Sequence, residues 1–394
     1  MRERKSGTIF LTGGTGFLGS HLAVHLLCRG YRVVMLARKS NHMGAEERVI
    51  QLLSWFAISP NRGWKLEVIE GDIEKPDLGL GRETHDRLAR SIDEIIHAAS
   101  NTSFAERKRH QVESSNITGL RNVLELARQS KCGFFHYIST AYVAGELSGL
   151  CKEELVEQNR FTNVYEETKY RGERMVAEVC TGEGIRHTMY RPSIVYGDSK
   201  TGRSIRFNAV YYPVRTLLFL KSLFEIDIRE RGGKKAAGMG VRLEEDGSLR
   251  LPIRVTIADN GGVNLIPVDH FVEAFAAIME TSVGGVFHIV NNKLKKCEEL
   301  IDYTQRLFGM KGIKPVTACN GGSHARNPLE ALFDGYVEMY APYIKDARIF
   351  ENRKAACVLV SRNIACPDFD FEIFSRCMRY AVEVGWGAKL FGKD

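Results

Sequence analysis

The stretch TGGTGFLGSH at residues 12–21 constrains the fold of this chain more than any other feature. It follows a short apolar run, GTIFLTG (7–13), leads into a helical pattern, and places glycines at 13, 16 and 19. Glycine lacks a Cβ atom, so the backbone can approach a pyrophosphate closely, and the following helix offers unpaired N–H groups to it. The glycines therefore predict the phosphate loop of a dinucleotide-binding unit; a tight turn that binds nothing is the alternative.

The first 200 residues repeat this alternation of short apolar runs and helical segments. Further strand candidates are RVVMLAR (32–38), LEVIEGD (66–72), EIIHAA (94–99), GFFHYIST (133–140), RHTMYRP (186–192) and, later, GGVFHIVN (284–291). Runs that are apolar throughout are typical of strands buried on both faces of a parallel sheet. We predict an α/β fold, a Rossmann-type doubly wound parallel sheet with a smaller, mostly helical C-terminal substrate lobe.

The rhythm changes near residue 200, which predicts the domain boundaries. Residues 1–200 are expected to form the dinucleotide-binding domain, with 264–291 returning to it, and 201–263 and 292–394 to form the substrate-binding lobe. The apolar run 207–226 has three open interpretations: core of the lobe, lining of an acyl tunnel, or contact with a membrane surface. The basic, glycine-rich segment 229–242 is interpreted either as a solvated loop or as a mobile lid over a phosphate-bearing substrate.

The end of the second predicted strand bears on the choice of cofactor. An NAD site usually has a carboxylate there, about 20 residues past the glycines, which binds the ribose 2′-hydroxyl. This chain has Arg38 and Lys39 instead, two cations that would suit a 2′-phosphate. We therefore expect NADP(H), with two solvated cations as the alternative, and we expect Asp72 to lie near the adenine amino group.

The stretch NVYEETKYRGE (163–173) contains a candidate catalytic pair, Tyr165 and Lys169. Their spacing places both side chains on one face of a helix, and Glu166 and Glu167 are expected to point elsewhere and face outward. A phenol is a weak acid at neutral pH, and a neighbouring ammonium would poise it for proton exchange with a carbonyl oxygen. Thr140, at the end of the fifth strand, would add a second hydroxyl. A solvated charged helix is the alternative for this stretch taken alone.

Several motifs stand in an order that resembles the extended short-chain dehydrogenase/reductase family. They are the glycine loop, HAAS (97–100), SSNITGL (114–120), ST (139–140), YEETK (165–169) and YRPSIVYG (190–197), and the resemblance covers roughly residues 7–310. It implies that Thr140, Tyr165 and Lys169 are catalytic and that Asn116 supports them. It also implies that Ala98 and Ala99 line the cofactor channel and that residues 191–195 flank the nicotinamide.

Pattern and resemblance together predict one set of cofactor contacts and no metal site. The contacts are Thr12, Gly13, Thr15, Gly16, Phe17, Leu18, Gly19, Arg38, Lys39, Asp72, Ile73, Ala98, Ala99, Ser100, Tyr165, Lys169, Pro192, Ser193, Ile194 and Val195.

Within the family, the motifs are most similar to the thioester reductase and fatty acyl-CoA reductase branch. That resemblance implies an NADPH-dependent reductase of an acyl thioester, bound to CoA or a carrier protein, giving an aldehyde or alcohol. Two alternatives remain at this point. One is another extended-family enzyme, such as a ketone or hydroxysteroid-like dehydrogenase or a nucleotide-sugar epimerase or dehydratase. The other is a non-catalytic dinucleotide-binding regulator, against which the Thr–Tyr–Lys set argues.

Composition bounds the remaining expectations. Nine scattered cysteines, with no Cys-x-x-Cys spacing, predict reduced thiols and a cytoplasmic protein. No run approaches the length of a transmembrane helix, and the start of the chain lacks the features of a signal peptide. A net charge of +7 is mild, and we expect no nucleic-acid partner. We expect a monomer or a homodimer.

Overall fold

A computed structural model describes residues 7–40, 42–59, 63–157, 160–258, 262–317, 325–344 and 348–392. The strands are β1 (Thr8–Thr12), β2 (Arg32–Ala37), β3 (Leu66–Glu70), β4 (Glu94–His97), β5 (Phe134–Ile138), β6 (Gly149–Cys151), β7 (Arg186–Pro192), β8 (Ile194–Tyr196), β9 (Arg242–Leu243), β10 (Leu249–Ile257), β11 (Gly262–Val263), β12 (Leu265–Pro267), β13 (Gly285–Ile289), β14 (Lys295–Lys296), β15 (Met310–Thr317) and β16 (Arg348–Phe350).

The helices are α1 (Phe17–Cys28), α2 (Ala45–Trp55), α3 (Arg82–Ser91), α4 (Arg109–Glu113), α5 (Gly119–Gln129), α6 (Val164–Gly182), α7 (Tyr211–Glu230), α8 (Lys234–Gly238), α9 (Val268–Thr281), α10 (Cys297–Phe308), α11 (Pro328–Val337), α12 (Ala341–Ile344), α13 (Arg353–Ser361) and α14 (Phe371–Glu383).

A seven-stranded sheet in the order β13-β7-β5-β4-β1-β2-β3 is the framework of the first compact unit. All neighbouring strands in it run parallel. The chain runs outward from β1 through β2 to β3, then crosses to β4 on the other side of β1. This reversal is the topological switch point at which doubly wound sheets bind their ligands. The predicted doubly wound α/β fold is confirmed, and every predicted strand run contributes one strand.

Apolar strands explain why this sheet forms. Residues 9–12 of β1, 33–37 of β2 and all of β5 are buried, as expected for strands covered by helices on both faces. The parallel register aligns Thr12 with His97 and His97 with Tyr137 across three adjacent strands. Side chains that are far apart in the sequence therefore lie side by side at one level of the sheet.

The chain divides into two compact units. The first comprises Met1–Ser193, Val268–Val290 and Phe350–Ala365, and the second comprises Ile194–Pro267, Asn291–Ile349 and Cys366–Asp394. The segment Phe350–Ala365, which includes α13, was expected in the C-terminal lobe and instead packs in the first unit. The predicted roles of the two units remain predictions.

The second unit contains a three-stranded sheet, ordered β15-β10-β9, and several helices. Its core includes Leu217, Leu220 and Phe224 of α7, together with Leu251 and Ile253 of β10. The apolar run 207–226 thus supplies one buried helix face, which supports the first of its three interpretations. An amphipathic helix that covers a small sheet is an ordinary source of such a run.

The basic segment 229–242 differs from one of its two interpretations, the solvated loop. It forms the short helix α8, and Ala236 and Val241 are buried in the core of the second unit. A carboxylate oxygen of Asp227 accepts a hydrogen bond from the Ala236 N–H at 2.9 Å. The buried side chains and the Asp227 contact give this segment a defined structure, which contradicts the solvated loop. The lid over a phosphate-bearing substrate remains a prediction.

Within the described residues no two cysteines form a disulfide, and Cys319 lies outside those residues. Over the same residues, no helix has the length and apolar character needed to cross a membrane. No group of His, Cys, Asp and Glu side chains in the described ranges could hold a metal ion.

Candidate active site

The glycine loop joins β1 to α1, and two of its glycines, Gly13 and Gly19, leave no room for a side chain. Gly13 has a φ of +73°, and a Cβ atom added there would overlap the backbone of Ala98 and Ala99. A Cβ atom on Gly19 would overlap the carbonyl oxygen of Gly13. Gly16 closes the turn by donating its N–H to the Gly13 carbonyl at 2.9 Å, and α1 begins at the next residue. The loop backbone thus forms a cradle at a helix N-terminus, which fits a dinucleotide pyrophosphate.

The remaining predicted loop residues surround this cradle. Thr12 is buried at the end of β1, and Thr15, Phe17 and Leu18 are partly exposed around the first turn of α1. The loop therefore presents backbone rather than side-chain carboxylates toward solvent, as a phosphate site requires.

The end of β2 carries an exposed cation that faces two acids. The Arg38 guanidinium lies 3.4 Å from a Glu74 oxygen and 3.9 Å from an Asp72 oxygen. Glu74 also accepts hydrogen bonds from Ser114 and Ser115, which hold its carboxylate in place. Lys39 is exposed beside it. Sequence reasoning missed Glu74, although its position two residues after Asp72 was a usable signal.

The end of β4 is bonded to β1, and the residues after β3 pack on the start of α5. Ala98 donates its N–H to the Thr12 carbonyl at 3.2 Å, and Ala99 and Ser100 follow it, all partly exposed. Ile73 is buried, and its side chain packs so closely on Gly119 that a Cβ atom there would lie 2.7 Å from it. Asp72, Ile73 and the two alanines are thus placed at one end of the sheet, where the cofactor contacts were predicted.

Asn116 lies in a π-helical turn, Ser114–Thr118, and its side-chain amide is fully engaged by protein. Its oxygen accepts hydrogen bonds from the Asn101 N–H at 2.7 Å and from the Ser100 hydroxyl at 3.1 Å. Its nitrogen donates to the Asn101 carbonyl and to the Thr168 hydroxyl, each at 3.0 Å. Asn116 therefore links the end of β4 to helix α6, which is the geometry of a supporting residue.

Thr140 and Tyr165 come together through tertiary structure. Thr140 is buried after β5, and its hydroxyl oxygen accepts the Tyr142 N–H at 3.3 Å. Tyr165 lies in the first turn of α6, half-buried, and its hydroxyl is close enough to the Thr140 side chain for that side chain to lower its pKa. Burial raises the pKa of Tyr165 to about 12, against a smaller lowering by Thr140, so the phenol stays protonated at neutral pH. A protonated phenol beside a second hydroxyl can donate to a carbonyl oxygen.

Lys169 occupies the next turn of α6 and is buried. Its ammonium donates to the Ile138 carbonyl at 2.6 Å and lies 4.3 Å from the centroid of the Tyr137 ring. Burial lowers the pKa of Lys169 to about 7, although the charge of Glu173 opposes this. A lysine poised in this way can exchange its proton near physiological pH.

The two glutamates between Tyr165 and Lys169 do not both point away. Glu166 is fully buried, and its carboxylate accepts hydrogen bonds from the N–H and hydroxyl of Thr162 at 3.2 and 2.9 Å. Its own N–H is capped by the Asn163 side chain at 3.0 Å. The prediction was wrong for Glu166 because the helix starts against residues 162–163. Glu167 reaches Arg109 at 2.8 Å on a half-exposed surface.

A buried ion pair behind Lys169 was also missed by sequence reasoning. Glu173, one turn further along α6, accepts two hydrogen bonds from Arg191 of β7, at 2.8 and 2.6 Å. Arg191 also lies 3.2 Å from the Nε2 atom of His288 on β13. The spacing of Tyr165, Lys169 and Glu173, each four residues apart, was the available signal because such residues share one helix face.

The last predicted contacts lie at and beyond the end of β7. Pro192 is the last residue of β7, and Ser193 is buried with its N–H donating to the Ile289 carbonyl at 3.1 Å. Ile194 and Val195 belong to β8 in the second unit. Their contact with the nicotinamide remains a prediction, as do the roles of all the residues above.

A glycine loop at the switch point of a parallel sheet, followed by Thr140, Tyr165 and Lys169, is the arrangement typical of short-chain dehydrogenases/reductases, a class of oxidoreductases that use a nicotinamide cofactor. The model of the family described as Male sterility protein matches residues 11–275. The chain belongs to this family, in the thioester reductase branch of the extended short-chain dehydrogenases/reductases.

A linear gramicidin synthase of Brevibacillus parabrevis is 25% identical over 395 residues. That match covers 95% of this chain and 7% of the relative, so the chain corresponds to a small part of a much longer protein. Two solved structures are similar in fold. The terminal R domain of the myxalamid PKS-NRPS pathway has a TM-score of 0.76 and 21% identity, and the match covers 97% of this chain and 92% of that one. A thiolation-reductase di-domain from an archaeal non-ribosomal peptide synthetase has a TM-score of 0.72 and 17% identity, with 97% and 76% covered.

Proposed function

We propose that this protein reduces an acyl thioester, bound to CoA or to a carrier protein, with NADPH as the hydride donor. The observation that carries the proposal is the approach of the Tyr165 hydroxyl to the Thr140 side chain at the carboxyl end of β5, in a chain of the thioester reductase branch. Two hydroxyls that meet at this end of a parallel sheet lie where α/β enzymes bind substrate.

The residues at the cradle fit a phosphorylated dinucleotide. The backbone around Gly13 and the N-terminus of α1 would hold the pyrophosphate, and Arg38 would bind the 2′-phosphate in place of its contacts with Asp72 and Glu74. When bound, NADPH supplies a hydride to the carbonyl carbon of the substrate.

Thr140 and Tyr165 would then act on the carbonyl oxygen. As the carbon–hydride bond forms, negative charge builds on this oxygen, and the two hydroxyls stabilise it. The Tyr165 hydroxyl gives its proton to the oxygen, which yields a hemithioacetal. Its carbon–sulfur bond then breaks and releases a thiol, whose pKa of about 8.5 makes it a workable leaving group, together with an aldehyde.

The thioester is supported over other carbonyl compounds by the comparisons. The archaeal structure joins a thiolation domain to a reductase domain, which favours a substrate presented as a thioester on a carrier. No cysteine nucleophile is needed for this chemistry. Cys151 is buried on β6, and its thiol donates to the Gly149 carbonyl at 3.8 Å.

The test is to follow NADPH oxidation and thiol release together, with acyl-CoAs and acyl-loaded carrier proteins as substrates. Equal rates of NADPH oxidation and thiol release are expected if reduction ends at the aldehyde. Two NADPH per thiol are expected if reduction continues to the alcohol. Thr140→Val serves as the matched variant because it keeps the shape of the side chain and removes the hydroxyl, and it should slow both signals together.

Other outcomes would overturn the proposal. Thiol release without NADPH oxidation would indicate a hydrolase. Oxidation of NADPH with ketones but not with any thioester would indicate a ketone reductase, and interconversion of nucleotide sugars without net NADPH consumption would indicate an epimerase.

A further inference from the structure

Three side chains in register form a buried column that runs from the phosphate loop toward Lys169. Thr12, His97 and Tyr137 occupy matching positions on β1, β4 and β5. The Thr12 hydroxyl and the His97 Nδ1 atom lie 2.9 Å apart. The His97 ring stacks on the Tyr137 ring, with centroids 5.9 Å apart and planes at 17°. All three residues are almost completely buried, so their positions are set by the sheet.

Lys169 ends this column. Its Nζ atom lies 4.3 Å above the centre of the Tyr137 ring, within the range in which an aromatic face attracts a cation. Its hydrogen bond to the Ile138 carbonyl is the other contact that fixes it, and among the described residues it forms no ion pair with a carboxylate. The ring face therefore takes the place that a carboxylate would hold beside a buried ammonium.

The Tyr137 ring has little freedom to move away from Lys169. Its hydroxyl oxygen packs against Gly172 on α6, where an added Cβ atom would overlap it. The same buried hydroxyl has no hydrogen-bond partner among the described residues. Close packing, and not a hydrogen bond of the hydroxyl, therefore holds Tyr137 in place, and the contact that it makes with Lys169 is through its ring face.

We propose that Tyr137 is a positioning residue for Lys169, and that its ring face, held by His97 and Gly172, keeps the ammonium charged and in place. The proposal rests on the proposed function only because it takes Lys169 as a member of the catalytic set. The titration of Lys169 is made without cofactor or substrate, so the role of Tyr137 and the proposed function can be disproved independently.

The charged and titratable groups around Lys169 determine in which direction its pKa should change when the Tyr137 ring is removed. They are Tyr165 and Glu173 on its own helix, His97 on β4 and Tyr137 on β5. Burial keeps His97 neutral by lowering its pKa to about 3. Glu173 and the ring face are then the groups that favour the charged form of Lys169, and loss of the ring should make that lysine lose its proton at lower pH.

The test is an NMR titration of the Lys169 side chain in protein labelled with carbon-13 at the lysine Cε atoms, with the signal assigned from Lys169→Gln. Tyr137→Leu should lower the titration midpoint by about one pH unit. Tyr137→Phe keeps the aromatic face and should titrate near the wild-type midpoint. In the reductase assay, kcat/KM should fall at high pH as Lys169 loses its proton. The pH at which it falls should be lower for Tyr137→Leu than for the wild type, and near the wild-type value for Tyr137→Phe.

A matched control separates this effect from general damage to the core. Phe135 is as buried as Tyr137, lies two residues earlier on β5 and also stacks on His97, with no cation over its ring among the described residues. Phe135→Leu should destabilise the protein without moving the Lys169 midpoint. An equal shift in both leucine variants, or no shift in Tyr137→Leu, would overturn the proposal.

Gly172 provides a second, independent test. Gly172→Ala should push the Tyr137 ring aside and lower the Lys169 midpoint, as Tyr137→Leu does. Adding Tyr137→Phe removes the overlapping hydroxyl and should restore the midpoint. If the double variant stays as shifted as Gly172→Ala, the position of the ring does not control Lys169 and the proposal is wrong.

Discussion

Arg191 donates to both carboxylate oxygens of Glu173, at 2.8 and 2.6 Å, and each side chain is only 1% exposed. The pair joins β7 to α6 one helix turn beyond Lys169. A buried ion pair contributes little net stability as a pair, but removing one partner leaves a charge stranded away from water. The pair therefore matters most for holding α6, and with it Tyr165 and Lys169, against the sheet.

Glu173→Gln is expected to lower the free energy of unfolding by about 3 kcal/mol because Arg191 keeps a buried, uncompensated charge. Urea denaturation measures this loss. The double variant Glu173→Leu, Arg191→Met should recover most of it. Glu125→Gln, which breaks the exposed pair with Arg128, is the control and should cost less than about 1 kcal/mol. Equal losses in the two glutamine variants would contradict the prediction.

Tyr165→Phe removes the proposed proton donor and keeps the ring. Turnover should fall roughly 10²- to 10⁴-fold, the usual contribution of a general acid, with NADPH affinity almost unchanged. Steady-state kinetics and a fluorescence titration of NADPH measure the two effects. The control is Tyr170→Phe on the same helix, whose hydroxyl donates to the Glu157 carbonyl instead. Near-normal turnover by Tyr165→Phe would assign the proton donor to another group.

Gly13→Ala should abolish tight NADPH binding because the new Cβ atom would overlap the backbone of Ala98 and Ala99. Equilibrium titration of the nucleotide measures the loss. Gly30→Ala is a matched control because Gly30 also has a positive φ, +81°, with nothing within 4 Å of the added atom. It should cost only about 1 kcal/mol of stability and leave binding intact. Wild-type affinity in Gly13→Ala would place the pyrophosphate elsewhere.

Arg38→Ala should weaken NADPH binding roughly tenfold or more relative to NADH, as expected for the loss of a charge-assisted hydrogen bond to the 2′-phosphate. The ratio of the two Kd values is the measurement. Arg32→Ala, at the opposite end of β2 and paired with Glu67, should leave the ratio unchanged. If NADPH and NADH lose affinity equally in Arg38→Ala, Arg38 does not read the 2′-phosphate and the preference for NADP(H) needs another origin.

Three buried histidines should make the protein less stable in mild acid. Burial lowers the pKa of His97 and His288 to about 3 and that of His270 to about 4. An unfolded chain binds protons at these sites below about pH 6.5, whereas the folded protein does not, so stability falls as the pH drops through that value. Near pH 5 the expected slope is up to about 4 kcal/mol per pH unit.

Urea denaturation at several pH values between 7 and 5 measures this slope. His288→Gln should reduce it by about a third, since one of the three proton-binding differences is removed. The exposed His42→Gln is the control and should leave the slope unchanged. A slope that His288→Gln does not alter would mean that His288 is not buried in its neutral form.

Much of the fold could be predicted because its signals are local. A glycine loop between a strand and a helix, runs that are apolar on both faces and an i, i+4 pair of Tyr and Lys each act within one or two elements, so the doubly wound sheet and the placement of Tyr165 and Lys169 on one helix follow from the sequence. Segment 229–242 was misjudged because its glycines and charges were weighed without the buried Asp227 that caps α8. Glu166 was misjudged because its burial depends on where the helix begins.

The sequence by itself determined the glycine loop between β1 and α1, the parallel sheet and the helix that carries Tyr165 and Lys169. Tertiary structure alone decided what surrounds them. The Thr140 and Tyr165 hydroxyls meet only because β5 ends beside the start of α6, and Tyr137 lies under Lys169 only because His97 and Gly172 pack on it from two other elements. Such contacts depend on strand order and register, which place residues from distant parts of the chain side by side and leave no local pattern in the sequence.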